Sequence, residues 1–180
     1  MTNDAVDQWS ARYPDLVGKA VVIAGDGRGF VALAEAFAGA GALVAVVADD
    51  HHAVAAATRA AEARGATAYG FTADPANPAV WQRVAPHVEQ RLGPIDVVVV
   101  AGAPDRRAVA IEALRPDMAA RRRGVIVEIG DAATTTPADG VRVRLIHPAN
   151  DPADVTATAL LCASDALAAP TLTISWFVNR

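Results

Sequence analysis

Three short stretches of this chain, Ala20-Val21-Val22-Ile23-Ala24, Leu43 to Val47 and Val97 to Val100, are apolar at every position. A strand with one wet face alternates apolar with polar residues. One that does not alternate must be covered on both faces, as in the middle of a parallel sheet. Helical spacing fills the intervals between these runs. Phe30, Leu33, Ala34 and Phe37 share one face of a helix closed by Gly39 and Gly41. His52 to Arg64 is an alanine-rich helix, and Trp81, Val84, Ala85, Val88 and Leu92 mark another, stopped by Gly93-Pro94. Ile111, Leu114 and Met118 give a further helix its inner face, with a bend expected at Pro116, and Val155 to Leu167 gives the last. Residues 67–72, 125–129, 141–145 and 172–177 complete a set of about seven strands. The expected class is α/β, a doubly wound and mostly parallel sheet with helices on both faces.

Length allows one such domain, not two: the chain has 180 residues. Residues 19–180 read as that domain, and residues 1–18 as a leader or arm with Val6, Trp9 and Tyr13 on one helical face. A net charge of −4 gives no electrostatic reason to bind nucleic acid or an anionic membrane. The basic triplet Arg121-Arg122-Arg123 follows a helix, where it complements the negative helix end. A single cysteine, Cys162, forbids an internal disulfide and suits a cytoplasmic protein, and its apolar surroundings predict burial. No stretch approaches the roughly 18 apolar residues of a membrane span, and the N-terminus lacks the apolar block of a secretory signal.

The turn Gly25-Asp26-Gly27-Arg28-Gly29 lies between the first strand and the first long helix, the setting in which backbone N–H groups cradle a pyrophosphate. With Gly18 to Gly25 before it, this turn resembles the opening of the short-chain dehydrogenases/reductases. The likeness continues in order through Asp74 in Phe71-Thr72-Ala73-Asp74-Pro75, Gly93-Pro94-Ile95-Asp96-Val97 with Ala101-Gly102, and Leu114-Arg115-Pro116-Asp117-Met118 before Gly124 to Val127. Gly140 to Val143 with His147-Pro148, then Leu161 to Asp165, extend it to about Phe177. The resemblance implies a Rossmann-like fold and a nucleotide cofactor held by Gly25, Gly27, Arg28 and Gly29, with Asp74 against the adenine. Asp49, at the end of the second strand, falls at or beside the ribose-reading position and would repel a 2′-phosphate, favouring NAD over NADP.

Against that pattern stand several departures. The family's redox chemistry uses a tyrosine, a lysine four residues later and an upstream serine. This chain has two tyrosines, Tyr13 and Tyr69, and one lysine, Lys19, with no such spacing, and Asp131 stands at the serine position. Val31 replaces a packing glycine, and Asp26 puts a carboxylate in the phosphate loop, where it competes with pyrophosphate for the helix N-terminus. Binding and non-binding of NAD therefore both remain open. Residues 130–140 alone connect strands five and six, where the family inserts the helix bearing the tyrosine and lysine. A parallel crossover normally takes about a dozen residues or more, so no packed helix fits there.

That deletion predicts an uncovered sheet face, onto which Glu128, Arg142 and Arg144 would project together, with Val125, Val127 and Ile129 on the covered side. The expected function is a non-catalytic dehydrogenase-like subunit in a homo- or hetero-oligomer, its partner a full-length short-chain dehydrogenase, since some family members pair active with degenerate subunits. Two alternatives are a repurposed enzyme using Asp131 and His147 for non-redox proton transfer, and an NAD-binding sensor or scaffold. The run Asp49-Asp50-His51-His52 invites a metal, but neighbours on a helix do not share a face and Asp is an ordinary cap, so no metal site is expected. Trp176 and Phe177 are candidates for a subunit contact.

Overall fold

A computed structural model describes residues 13–27, 29–137, 139–147, 152–165 and 171–174. Seven strands form one sheet in the order β3-β2-β1-β4-β5-β6-β7. They are β1 (Ala20–Gly25), β2 (Leu43–Ala48), β3 (Ala68–Thr72), β4 (Ile95–Ala101), β5 (Gly124–Ile129), β6 (Val141–Ile146) and β7 (Thr171–Ile174), and every neighbouring pair is parallel. Five helices accompany them: α1 (Phe30–Gly39), α2 (His51–Ala63), α3 (Pro78–Leu92), α4 (Pro104–Ala120) and α5 (Pro152–Ala163). The chain is thus a doubly wound α/β protein with a switch point between β1 and β4, where the winding reverses. Helix α4 runs to Ala120 as one element with Pro116 inside it.

The two-sided strands acquire two cores. Val21, Ile23, Val44, Val46, Val97 and Val99 pack with α1, α2 and α5; Val22, Ala45, Val47, Val98 and Val100 pack with α3 and α4. Period-2 alternation divides each strand between the two layers. Local chemistry sets the helix starts: Asp50 caps α2 by accepting from His52 N and Ala53 N, and Asn77 caps α3 by accepting from Ala79 N. Of the leader, Tyr13 and Leu16 are buried in the α1 core, Leu16 within a 3-10 turn at Pro14–Leu16; Val6 and Trp9 lie outside the described residues. Trp176 and Phe177 lie outside them too.

The link over residues 130–140 carries no helix among its described residues, as its length requires. The expected bare face, however, is absent there. Glu128 is fully buried, and so are Ile126, Val141 and Val143 on the same side of the sheet. Nor do the three charges share a face. Parallel register sets Arg142 beside Val125 and Arg144 beside Val127, whereas Glu128 lies beside Leu145 and Val100. The prediction erred by aligning the strands one residue out of phase, and a single step in register exchanges faces. Arg142 pairs with Asp165, just past α5. Arg144 is fully buried on the α5 side of the sheet, donates to Val143 O, and has its pKa lowered by burial and by the charge of Arg142.

Cys162 is fully buried in the α5 core, and burial pushes its thiol up to about 11, against a smaller opposing pull from Arg144. At pH 8 the thiol is therefore both protonated and inaccessible. Native protein should react with a disulfide reagent at pH 8 at least a hundredfold more slowly than denatured protein. Rapid stoichiometric reaction of the folded chain would contradict this burial.

Candidate functional site

The carboxyl ends of β1, β4 and β5 open onto a crevice of about 600 Å³, at the switch point of the sheet. Asp26, Gly29 and Leu33 line it from the glycine turn and α1; Ala101 to Pro104 and Arg107 line it from β4 and α4; Ile129 to Ala132 line it from β5. Val155 and Thr156 of α5 close another side. The wall is mostly apolar, with carboxylates at Asp26 and Asp131.

The glycines of the turn have unequal duties. A side chain at Gly25 would meet the carbonyl oxygen of Ala101 at 2.1 Å, so this glycine serves the close packing of β1 on β4. One at Gly27 would meet Ala53 of α2 at 2.9 Å. Gly29, the residue before α1, has φ +69 and open space beyond it, and no side chain there caps the helix. Of the three glycines, Gly29 alone lines the crevice. Arg28 lies outside the described residues.

Asp49 and Asp74, at the ends of β2 and β3, are brought together by a residue the sequence reading missed. Arg106 Nη1 donates to Asp49 Oδ2 at 2.9 Å and stands 3.9 Å from Asp74 Oδ1. The hydrogen bond to Asp49, then its charge, raises the Arg106 pKa. Neither aspartate lines the crevice. Asp49, expected to repel a 2′-phosphate, is thus paired with a guanidinium.

Arg107, also missed, is the second surprise. Its side chain is 1% exposed and Glu128's 0%, with Nε 3.8 Å from Glu128 Oε2. Its Nη1 donates to Ile129 O at 2.9 Å and its Nη2 to Ala132 O at 2.6 Å. Glu128 in turn accepts from Thr134 N and Oγ1 at 2.8 and 2.7 Å, and from Thr135 N at 3.2 Å. A side chain at Gly130 would fall 1.4 Å from Arg107 Nη1, so the guanidinium lies against a backbone that only glycine leaves bare. The two arginines did carry a signal: both sit in the first turn of α4, where a cation opposes the helix dipole. Residues placed against their local preference are held there by partners.

Asp131 lines the crevice but His147, one residue beyond β6, does not. The run at Asp49 to His52 separates likewise, with Asp50 capping α2 and His51 Nδ1 3.4 Å from Thr72 Oγ1. Among the described residues no three His, Cys, Asp or Glu side chains gather as metal ligands. None of the described helices is long and apolar enough to cross a membrane.

A profile described as short chain dehydrogenase matches residues 19–111. The chain belongs to the short-chain dehydrogenase family. No curated protein matches it. Among solved structures it is similar to a metagenomic short-chain oxidoreductase in complex with NADP, at 22% identity and TM-score 0.73, covering 91% of this chain and 99% of that one. A short-chain type dehydrogenase/reductase from Mycobacterium marinum gives 18% identity and TM-score 0.77, over 97% of this chain and 98% of that one. An NAD+-bound xylitol dehydrogenase gives 14% and 0.72, over 89% and 98%. At these identities the likeness is one of fold.

For a dinucleotide the residues of this chain fit at one end only. Gly29 leaves room over a helix start, but Arg106 engages Asp49 and Asp74, the two residues that the family resemblance assigns to the adenosine. The buried pair is the sharper test of how this site is built. Replacing Arg107 by Ala should cost about 3–5 kcal/mol of stability, because Glu128 is left charged without its cation. The double variant Arg107→Met, Glu128→Leu should recover much of that loss in urea denaturation. A single-variant loss below about 1 kcal/mol would show that the pair holds nothing.

Proposed function

We propose that this chain is a non-redox member of its family, working as a subunit beside a catalytically complete short-chain dehydrogenase. The observation that carries the reading is the make-up of the crevice wall. Carbonyl reduction needs a positioned acid with a matched pKa. Among the described residues, the side chains that reach the crevice are carboxylates, aliphatics, Thr156 and an arginine already spent on backbone carbonyls. Tyr13 is buried in the α1 core, Tyr69 sits on β3 with Arg91 over its ring, and Lys19 pairs with Asp96 at the opposite ends of the strands. Asp131, at the serine position, puts a carboxylate where the family has a hydroxyl donor.

What such a domain retains is a binding crevice, with Gly29 at its mouth and NAD or a fragment of it as the natural candidate. Partnership is supported by the groove that replaces the lost crossover helix. Between α4 and the β5–β6 link it is lined by Glu112, Arg115 and Thr134 to Thr136, a polar surface suited to a protein neighbour rather than to a core. A cytoplasmic setting accords with the lone buried thiol. Proton transfer by Asp131 and His147 is less well supported, because only Asp131 reaches the crevice.

Purified chain should turn over no ketone, aldehyde or alcohol with NAD(H) or NADP(H). Co-expressed with a full-length family member encoded beside it, it should appear in native mass spectrometry as a stable mixed oligomer. Reproducible turnover by the isolated chain would refute the non-redox half. A chain that stays monomeric beside that neighbour would refute the subunit half.

A further inference from the structure

We propose that Arg106 is a specificity-determining gate, closing the crevice to adenosine and leaving it to ligands of mononucleotide size. This deepens, and rests on, the reading of the crevice as a binding site. An acid at the end of the second strand, some 20 residues past the glycine turn, is the group that takes an adenosine ribose in a sheet of this winding. Asp49 is that acid, and its carboxylate is already engaged by Arg106 at 2.9 Å.

The geometry of the arginine explains why it closes a subsite and does not merely decorate a surface. Arg106 rises from the first turn of α4, which follows β4, while Asp49 and Asp74 follow β2 and β3 on the far side of β1. Its guanidinium therefore reaches across the switch point and stands between the two aspartates, 3.9 Å from Asp74. An adenosine contacting both carboxylates would need the space that the guanidinium fills. The lining of the crevice agrees: it includes Gly29, Gly102, Pro104 and Asp131, and stops short of Asp49, Asp74 and Arg106. Asp105 and Arg107 flank the arginine in sequence, but Arg107 turns inward to Glu128, so Arg106 alone of the pair bridges the aspartates.

The opposite role, an arginine that reads a phosphate, predicts the opposite sign, and that makes the gate testable. Calorimetric titration of the wild type and Arg106→Ala with AMP, NAD+, NADP+ and nicotinamide mononucleotide separates the two. The gate predicts that Arg106→Ala binds AMP and NAD+ about three- to tenfold more tightly, the scale of one or two exposed ion pairs. Nicotinamide mononucleotide, which needs neither aspartate, should bind both proteins alike. Unchanged or weaker AMP and NAD+ binding in Arg106→Ala overturns the gate, and a selective loss of NADP+ identifies a phosphate reader instead. Absence of nicotinamide mononucleotide binding in both proteins, with AMP still gained, overturns the crevice reading but leaves the exclusion of adenosine by Arg106 standing. Because Arg106 is partly exposed, an unchanged melting temperature for the variant accompanies a valid comparison.

Discussion

One buried guanidinium holds together the part of this fold that lost its helix. In a doubly wound sheet, a crossover helix both covers two strands and fixes the path between them. Here a short and largely exposed link does that work, and where it turns in against β5 and α4 its carbonyls and amides still need partners. Arg107 takes the carbonyl of Ile129 at the end of β5 and that of Ala132 in the link, and Glu128 takes two of the link's amides, while their opposite charges limit the cost of burying either. The pair thus acts as a staple of hydrogen bonds, and its value lies in geometry more than in Coulomb energy, since a buried ion pair seldom outweighs its own desolvation. Gly130 is the seat that makes the staple fit.

The same device shapes the crevice. Ile129, Gly130, Asp131 and Ala132 form the wall contributed by β5, and Arg107 fixes the backbone on either side of Asp131. Asp131 is therefore presented by a braced loop. On the other side of the switch point Arg106 braces Asp49 and Asp74 from the same helical turn. Two consecutive arginines, one buried and one partly exposed, thereby govern both ends of the carboxyl edge of the sheet.

Much of the architecture was legible in the sequence because it depends on local patterns. Unbroken apolar runs such as Val97 to Val100 read as two-sided strands, and an Asp in the Asp49-Asp50 run reads as a helix cap, which Asp50 is. What was not legible depends on distance through space. Glu128 was read as facing an uncovered surface because the link after β5 is too short for a helix; its partner, Arg107, lies on a helix that precedes β5. Arg142 and Arg144 were assigned to its face because alternation fixes relative faces within a strand but leaves the phase between strands to register. The missing tyrosine and lysine were legible because their absence needs no structure to be seen.

The glycine turn carries a wider consequence. Two of its three glycines are demanded by neighbours inside the protein: Gly25 by the backbone of β4, and Gly27 by α2. Such residues are needed for folding whatever the turn binds. A lineage that abandoned its nucleotide altogether would still be obliged to keep them, since any larger residue would prise β1 from β4 or the turn from α2. The visible signature of dinucleotide binding can therefore outlive the binding itself, as a fossil preserved by the architecture that once served it. Gly29 too is held by the fold, since its left-handed backbone at φ +69 strains any other residue although open space lies beyond it.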